Sequence, residues 1–133
     1  GDLFTVRVAG NAFSPEVAGS VEYAVVHLGV RLVVVLGHQS CGAVGAALAG
    51  ISTPGDIKGI LECIAPACAE ATGLEGDTLA HAIRINARNT AKALLTREPG
   101  LAEARRAGAV RIVPAYYRLD SGEVEFGEAP SLG

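Results

Sequence analysis

Apolar residues along this chain keep two rhythms, and the run Leu32 to Leu36 stands where one meets the other. That run, LVVVL, is apolar at every position. A pattern with no polar face suits the central strand of a parallel sheet covered by helices on both sides. Upstream, Leu3 to Val8 (LFTVRV) reads as a strand, ended by a tight turn at Ala9-Gly10-Asn11. Ser14-Pro15-Glu16 then supplies a cap, a proline at the first helical position and an acid in the first turn. Val17, Val21, Ala24, Val25 and Leu28 follow at helical spacing, and Gly29 is placed to cap the end. Leu3 to Leu36 therefore reads as β-α-β.

Beyond Leu36, Gly37 ends the strand and His38 and Cys41 follow, three apart. Cys41 opens a small-residue helix that stops at Gly50. Ile57 to Thr72 has a helical pattern, and Pro66 within it is expected to kink or split the helix. Gly73 to Asp77 is a loop. Asp77 caps a long helix reaching Arg97, with Leu79, Ile83, Ala87, Ala91 and Leu94 on one side. Pro99 to Ala107 is a short helix stopped by Gly108. Val110 to Leu119 is the last buried strand. Asp120-Ser121-Gly122 then turns into Glu123 to Phe126, an antiparallel edge strand, and Glu128 to Gly133 reads as a tail.

The predicted class is thus α/β, a parallel sheet flanked by helices with one antiparallel edge strand. With 133 residues it forms one domain. Aromatics make up only 5% of the chain, so the core must be built from Val, Leu, Ile and Ala. A net charge of -3 and the lack of a basic stripe argue against nucleic acid as a partner. No apolar run approaches the ~20 residues of a membrane span, and three cysteines fit a reducing cytoplasm better than a disulfide framework. Methionine is absent and Gly1 leads at once into the first strand, which raises the expectation of further residues upstream.

The carboxyl end of a strand in an open α/β sheet is where ligands bind. An imidazole and a thiolate there, at His38 and Cys41, are two candidate zinc ligands. Cys63 and Cys68 lie in an apolar segment, five apart, and read as core. His27 and His81 read as surface or capping groups, and the helical arginines as solvated faces.

Four segments carry a resemblance: GDLFTVRVAGN, SVEYAVVHLGV, VVVLGHQSCGAV and YYRLDSGEVEF. In this order and spacing they resemble the β-class carbonic anhydrases over almost the whole chain, although Val8 stands where that family usually carries asparagine. The resemblance implies Zn²⁺ bound through Cys, His and Cys, and a hydroxide that converts carbon dioxide to bicarbonate. It makes His38 and Cys41 the second and third ligands. It places Phe4, Ala9 and Tyr23 in the substrate pocket and Gly42 beside the metal; from the residues alone, Phe4 and Tyr23 read as core aromatics. The family's first cysteine and its Asp-Arg pair come from a Cys-x-Asp-x-Arg motif that these 133 residues do not contain. No catalytic residue is therefore assigned in this chain, which is expected to bind zinc weakly and to be inactive as it stands.

The resemblance also implies a sheet order 2-1-3-4 in which the absent motif carries strand 1. Leu3 to Val8 and Leu32 to Leu36 would then flank a gap, unless they close up or another segment fills it. It further implies a homodimer or higher oligomer, expected here with an interface around Tyr23 on the first helix. Two other functions fit the same residues. One is a same-fold hydrolase of carbon disulfide or carbonyl sulfide; the other is a carbonic anhydrase-like binding or regulatory protein without catalysis.

Overall fold

A computed structural model describes residues 1–131. Five helices and three strands form: α1 Pro15–Val26, β1 Leu32–His38, α2 Gly42–Leu48, α3 Ile57–Ala71, α4 Thr78–Arg97, α5 Pro99–Arg106, β2 Arg111–Tyr117 and β3 Val124–Phe126. The sheet order is β1-β2-β3. β1 and β2 run parallel in the register Leu32↔Arg111 to His38↔Tyr117, and β3 pairs antiparallel with β2.

Local chemistry explains the boundaries. The Ser14 hydroxyl accepts the Val17 N–H at 3.3 Å, and Asp77 accepts the Ala80 N–H at 3.0 Å, so both helices start on side-chain caps. Gly29 leaves α1 with φ +71°, a left-handed conformation that glycine adopts at low cost. Pro66 lies inside an unsplit α3. It sits on the exposed side, where water can reach the carbonyl that a proline leaves without a donor.

α4 is the spine of the core. Its Ala87, Ala91, Leu94 and Leu95 pack with Ala18, Val25, Val35, Leu101, Val110 and Ile112. One turn earlier, Ala82, Ile83 and Ile85 join Cys41, Val44, Ile64, Cys68 and Tyr116. The inner row of β1 (Val33, Val35, Gly37) faces this helix.

Three expectations fail here. Leu3 to Val8 forms no strand; it is largely exposed coil, with Leu3 88% accessible. An extended segment becomes a strand only where a neighbour takes up its backbone groups, and β1 has no strand but β2 beside it among the described residues. The two segments have therefore not closed up. Secondly, β1 is not covered on both faces: Leu32, Val34 and Leu36 remain 54, 38 and 41% exposed. Thirdly, β1 runs through Gly37 to His38 instead of ending at Gly37. In the predicted tail, Leu132 and Gly133 lie outside the described residues.

A 3₁₀ turn at Ala9–Asn11 replaces the expected tight turn and is pinned from two sides. Buried Asn86 donates to the Gly10 carbonyl at 2.6 Å and Thr90 to that of Asn11 at 2.9 Å. The Asn11 side-chain amide donates to Leu36 O at 2.9 Å, on β1 itself.

β3 is tied to α4 by charge. Glu125 accepts from Arg84 and from Arg118, both at 2.6 Å, and the Arg84 guanidinium lies 3.9 Å over the Tyr116 ring. The hydrogen bonds from Arg84 and Arg118 hold the Glu125 carboxyl below its usual value, and Glu125 in turn raises Arg118. A carboxyl depressed in the folded state adds stability above its unfolded pKa and loses it as pH falls through the folded one. Glu125→Gln is therefore expected to lower the denaturation midpoint at neutral pH and to lower it less near pH ~3, below the ordinary carboxylate range, where part of the ionised form's advantage is already lost. Denaturant titrations at the two pH values check this, and added salt should shrink the difference because these groups are over a third exposed.

Candidate metal centre

The parallel ladder positions the site. His38 ends β1 in register with Tyr117, and the Gln39 N–H extends the ladder by donating to Tyr117 O at 2.8 Å. The chain then reverses through Ser40 at φ +57°, unusual for a residue with a Cβ. Cys41 emerges as the residue that caps α2. His38 is exposed, whereas Cys41 is 5% accessible against Val44 and Ile64. One four-residue turn at the carboxyl end of a strand thus carries both the imidazole and the thiol.

His38 Nδ1 lies 3.0 Å from the Gln39 carbonyl. A carbonyl only accepts, so Nδ1 carries the proton, which in a neutral ring leaves the lone pair on Nε2. A neutral imidazole with a free nitrogen and a neighbouring thiol are donors of the kind zinc prefers, so the pair fits zinc as part of a site. The set is short of the three protein ligands a catalytic zinc needs: no group of three or more His, Cys, Asp or Glu side chains converges among the described residues.

Cys63 and Cys68 do not complete it. Cys68 is buried, directs its thiol at Val44 O (3.8 Å), and burial pushes its pKa up, which favours the neutral thiol of a core residue. Cys63 is exposed rather than core, with its sulfur 3.9 Å from Phe13 O. His27 is the exposed C-cap of α1, and His81 Nε2 meets Glu75 O at 2.9 Å.

The residues expected in the substrate pocket are only partly assembled. Gly42 begins α2 next to Cys41, and Gly10, following Ala9, packs against Ala43 and Ile64. The Ala9 turn and the head of α2 are therefore neighbours. Phe4 is 46% exposed on the unpaired N-terminal segment. Tyr23 is 52% exposed and stacks on His27 with ring centroids 5.2 Å apart. It lines a hollow of about 280 Å³ with Gly19, Glu22, Val26 and His27, which includes neither His38 nor Cys41. Neither aromatic is the core residue its type suggested. Arg84 also departs from a solvated helix face, being bound to Glu125 and Tyr116.

A mixed sheet with all its long connections helical, and a His-x-x-Cys turn at the end of its first parallel strand, define a class of protein. The chain belongs to the carbonic anhydrase family, whose model matches residues 1–124, and it has the β-class fold. It is 40% identical over 131 residues to "Carbonic anhydrase 2" of Mycobacterium tuberculosis, an alignment covering 92% of this chain and 61% of that protein. The crystal structure of the β-carbonic anhydrase CafA of the fungal pathogen Aspergillus fumigatus superimposes with a TM-score of 0.85 at 29% identity, over 99% of this chain and 66% of that one. A β-carbonic anhydrase from Sordaria macrospora, described as tetrameric, shares the fold at 21% identity and a TM-score of 0.79, over 92% of this chain and 67% of that one. The chain thus spans about three fifths of the length of the curated relative, at 61%.

Proposed function

We propose that the protein carrying this chain interconverts carbon dioxide and bicarbonate, with zinc held in part by His38 and Cys41. The observation that carries this reading is the turn itself: an imidazole whose Nδ1 is turned to the Gln39 carbonyl and a cysteine three residues on, at the carboxyl end of β1. A zinc ion held there supplies Lewis-acid activation of water, whose pKa falls to about 7 when bound. His38 contributes a nitrogen whose tautomer is set by the Gln39 carbonyl. Cys41 contributes the sulfur of a buried residue in the cluster that also holds Val44 and Ile64, where low solvent access would strengthen its hold on a cation. The first cysteine and the Asp-Arg pair of the family pattern are not among the residues of this chain, so the full reaction is proposed for a protein that also contains them.

Stopped-flow measurement of carbon dioxide hydration on that zinc-loaded protein tests the reading. Acceleration over buffer is expected, and none would overturn it. Turnover of carbon disulfide or carbonyl sulfide in its place would assign the same-fold hydrolase. Zinc-free material that still binds a partner would leave a non-catalytic role.

We also propose that the protein assembles as a homodimer or a multiple of it in a reducing cytoplasm. The exposed apolar side chains of α1 and β1 support this: Tyr23, Val26 and Leu28, with Leu32, Val34 and Leu36. All three cysteines are free. Light scattering at low micromolar concentration should report at least twice the chain mass. Tyr23→Glu combined with Val26→Glu should shift it towards the monomer.

A further inference from the structure

The turn that carries His38 and Cys41 is short, reverses through a left-handed serine, and follows a strand whose outer edge is unpaired among the described residues. Something must hold it in one conformation. The side chain of Gln39, between the two donors, points across the sheet to the connection between β2 and β3. Its Oε1 accepts the backbone N–H groups of Leu119 at 2.8 Å and of Asp120 at 3.2 Å. Its Nε2 donates to Asp120 Oδ2 at 3.3 Å. Two N–H donors fix which end of the amide is oxygen, and the carboxylate fixes the other end as nitrogen, so the orientation is self-consistent.

The anchor is stiff. Arg118 N–H donates to Glu123 O and Gly122 N–H to Arg118 O, both at 2.9 Å, which closes the β2–β3 connection. The Arg118 side chain then joins Glu125 and Arg84, reaching α4. Gln39 therefore couples the His–Cys turn to a hydrogen-bonded hairpin braced against the core. Its main chain serves the same end, since its N–H extends the ladder to Tyr117 and its carbonyl sets the His38 tautomer.

From this geometry we infer that Gln39 is a positioning residue: through Leu119 and Asp120 it holds the turn in the conformation that presents His38 and Cys41 together. The functional meaning rests on the zinc reading above, but the clamp can be tested without metal. In the metal-free chain, Gln39→Ala should speed amide hydrogen exchange at Leu119 and Asp120. It should mix the His38 tautomers seen by imidazole ¹⁵N shifts. It should also hasten alkylation of Cys41, resolved from the exposed Cys63 by peptide mapping. In a cobalt(II) titration of the protein carrying this chain, followed by the sulfur-to-cobalt charge-transfer band, the same change should weaken affinity about 10-fold, as is usual when support behind a metal ligand is lost. The melting temperature should barely move, which separates positioning from a general loss of fold.

A polarity swap sharpens the test. Gln39→Glu alone sets two carboxylates against each other and should loosen the turn. Combined with Asp120→Asn, which reverses donor and acceptor across the contact, it should restore slow exchange and metal affinity. If cobalt does not bind the parent protein while Gln39→Ala still frees His38 and Cys41, the clamp stands and the zinc reading falls. If cobalt binds parent and Gln39→Ala alike, the inference is overturned and the zinc reading survives; if His38 and Cys41 are unchanged by the substitution, the inference is overturned whatever the metal result.

Discussion

Cys41→Ser is expected to remove zinc from the protein carrying this chain and to reduce carbon dioxide hydration to the rate of the buffer. The two side chains are nearly isosteric, so the loss would be one of chemistry. A thiolate is a soft anionic donor, whereas a serine hydroxyl stays protonated and neutral at pH 7. Without the metal, water keeps its ordinary, far higher pKa in place of about 7, and hydroxide at the site becomes negligible. The fold should not suffer, because serine at a helix N-cap can accept a backbone N–H that Cys41 leaves unbonded. Melting temperature equal to or above that of the metal-free parent, zinc content near zero and no activity is thus the expected set, by calorimetry, elemental analysis and stopped-flow. His38→Ala should act in the same direction. Cys68→Ala should keep zinc and activity, since that thiol faces Val44 O within the core. Zinc retained in Cys41→Ser, or lost in Cys68→Ala, would place the sulfur ligand elsewhere.

The helices were legible from the sequence because each carries its own start and stop. Ser14 and Asp77 act as the caps their positions suggested, and Gly29, Gly50 and Gly108 leave their helices at positive φ. The turn carrying His38 and Cys41 was legible only in outline, because β1 runs on through Gly37 to His38 and the glycine does not mark where the strand stops. What sequence could not settle is whatever depends on a neighbour. LFTVRV has good strand composition, yet it becomes a strand only if another strand lies beside it, and none does among the described residues. LVVVL has the pattern of a strand covered on both faces, yet only its Val33 and Val35 row is packed.

The residues that sequence reading passed over are polar ones whose partners are far away in the chain. Gln39 looks like a spacer between two donors, and its contacts are with Leu119 and Asp120, some eighty residues on. Asn86 lies in a helical pattern as if on its polar side, but it is buried against the Gly10 carbonyl. An asparagine amid alanines at helical spacing was the available signal, because a buried amide needs a specific partner. No comparable signal marked Glu125, where two arginines from different elements meet. Such contacts decide how firmly the site is held, and they are visible only once the elements are assembled.

Gly37→Ala is expected to cost about 1–3 kcal/mol of stability, the range for an overpacked core, and to disturb the metal site out of proportion to its size. Gly37 is the inward-facing residue just before His38, and its backbone needs no positive φ, so conformational freedom is not the reason for glycine here. Space is. A Cβ at this position would lie 2.7 Å from Ile83 Cγ2 and 3.3 Å from the Ile83 carbonyl oxygen on α4. Ile83 is 2% exposed and packed on every side, so it cannot swing away; β1 and α4 must separate. The displacement falls on the peptide that carries His38. Two readouts should therefore change together: the denaturation midpoint drops, and cobalt(II) affinity falls while Cys41 itself is untouched. Ile83→Ala alone opens a cavity and should cost about 2–5 kcal/mol. In the double substitution the added methyl occupies part of that space, so the combined loss should be smaller than the sum by about 0.5–3 kcal/mol. Strict additivity in that cycle would show that the close approach of β1 to α4 does not set the place of His38.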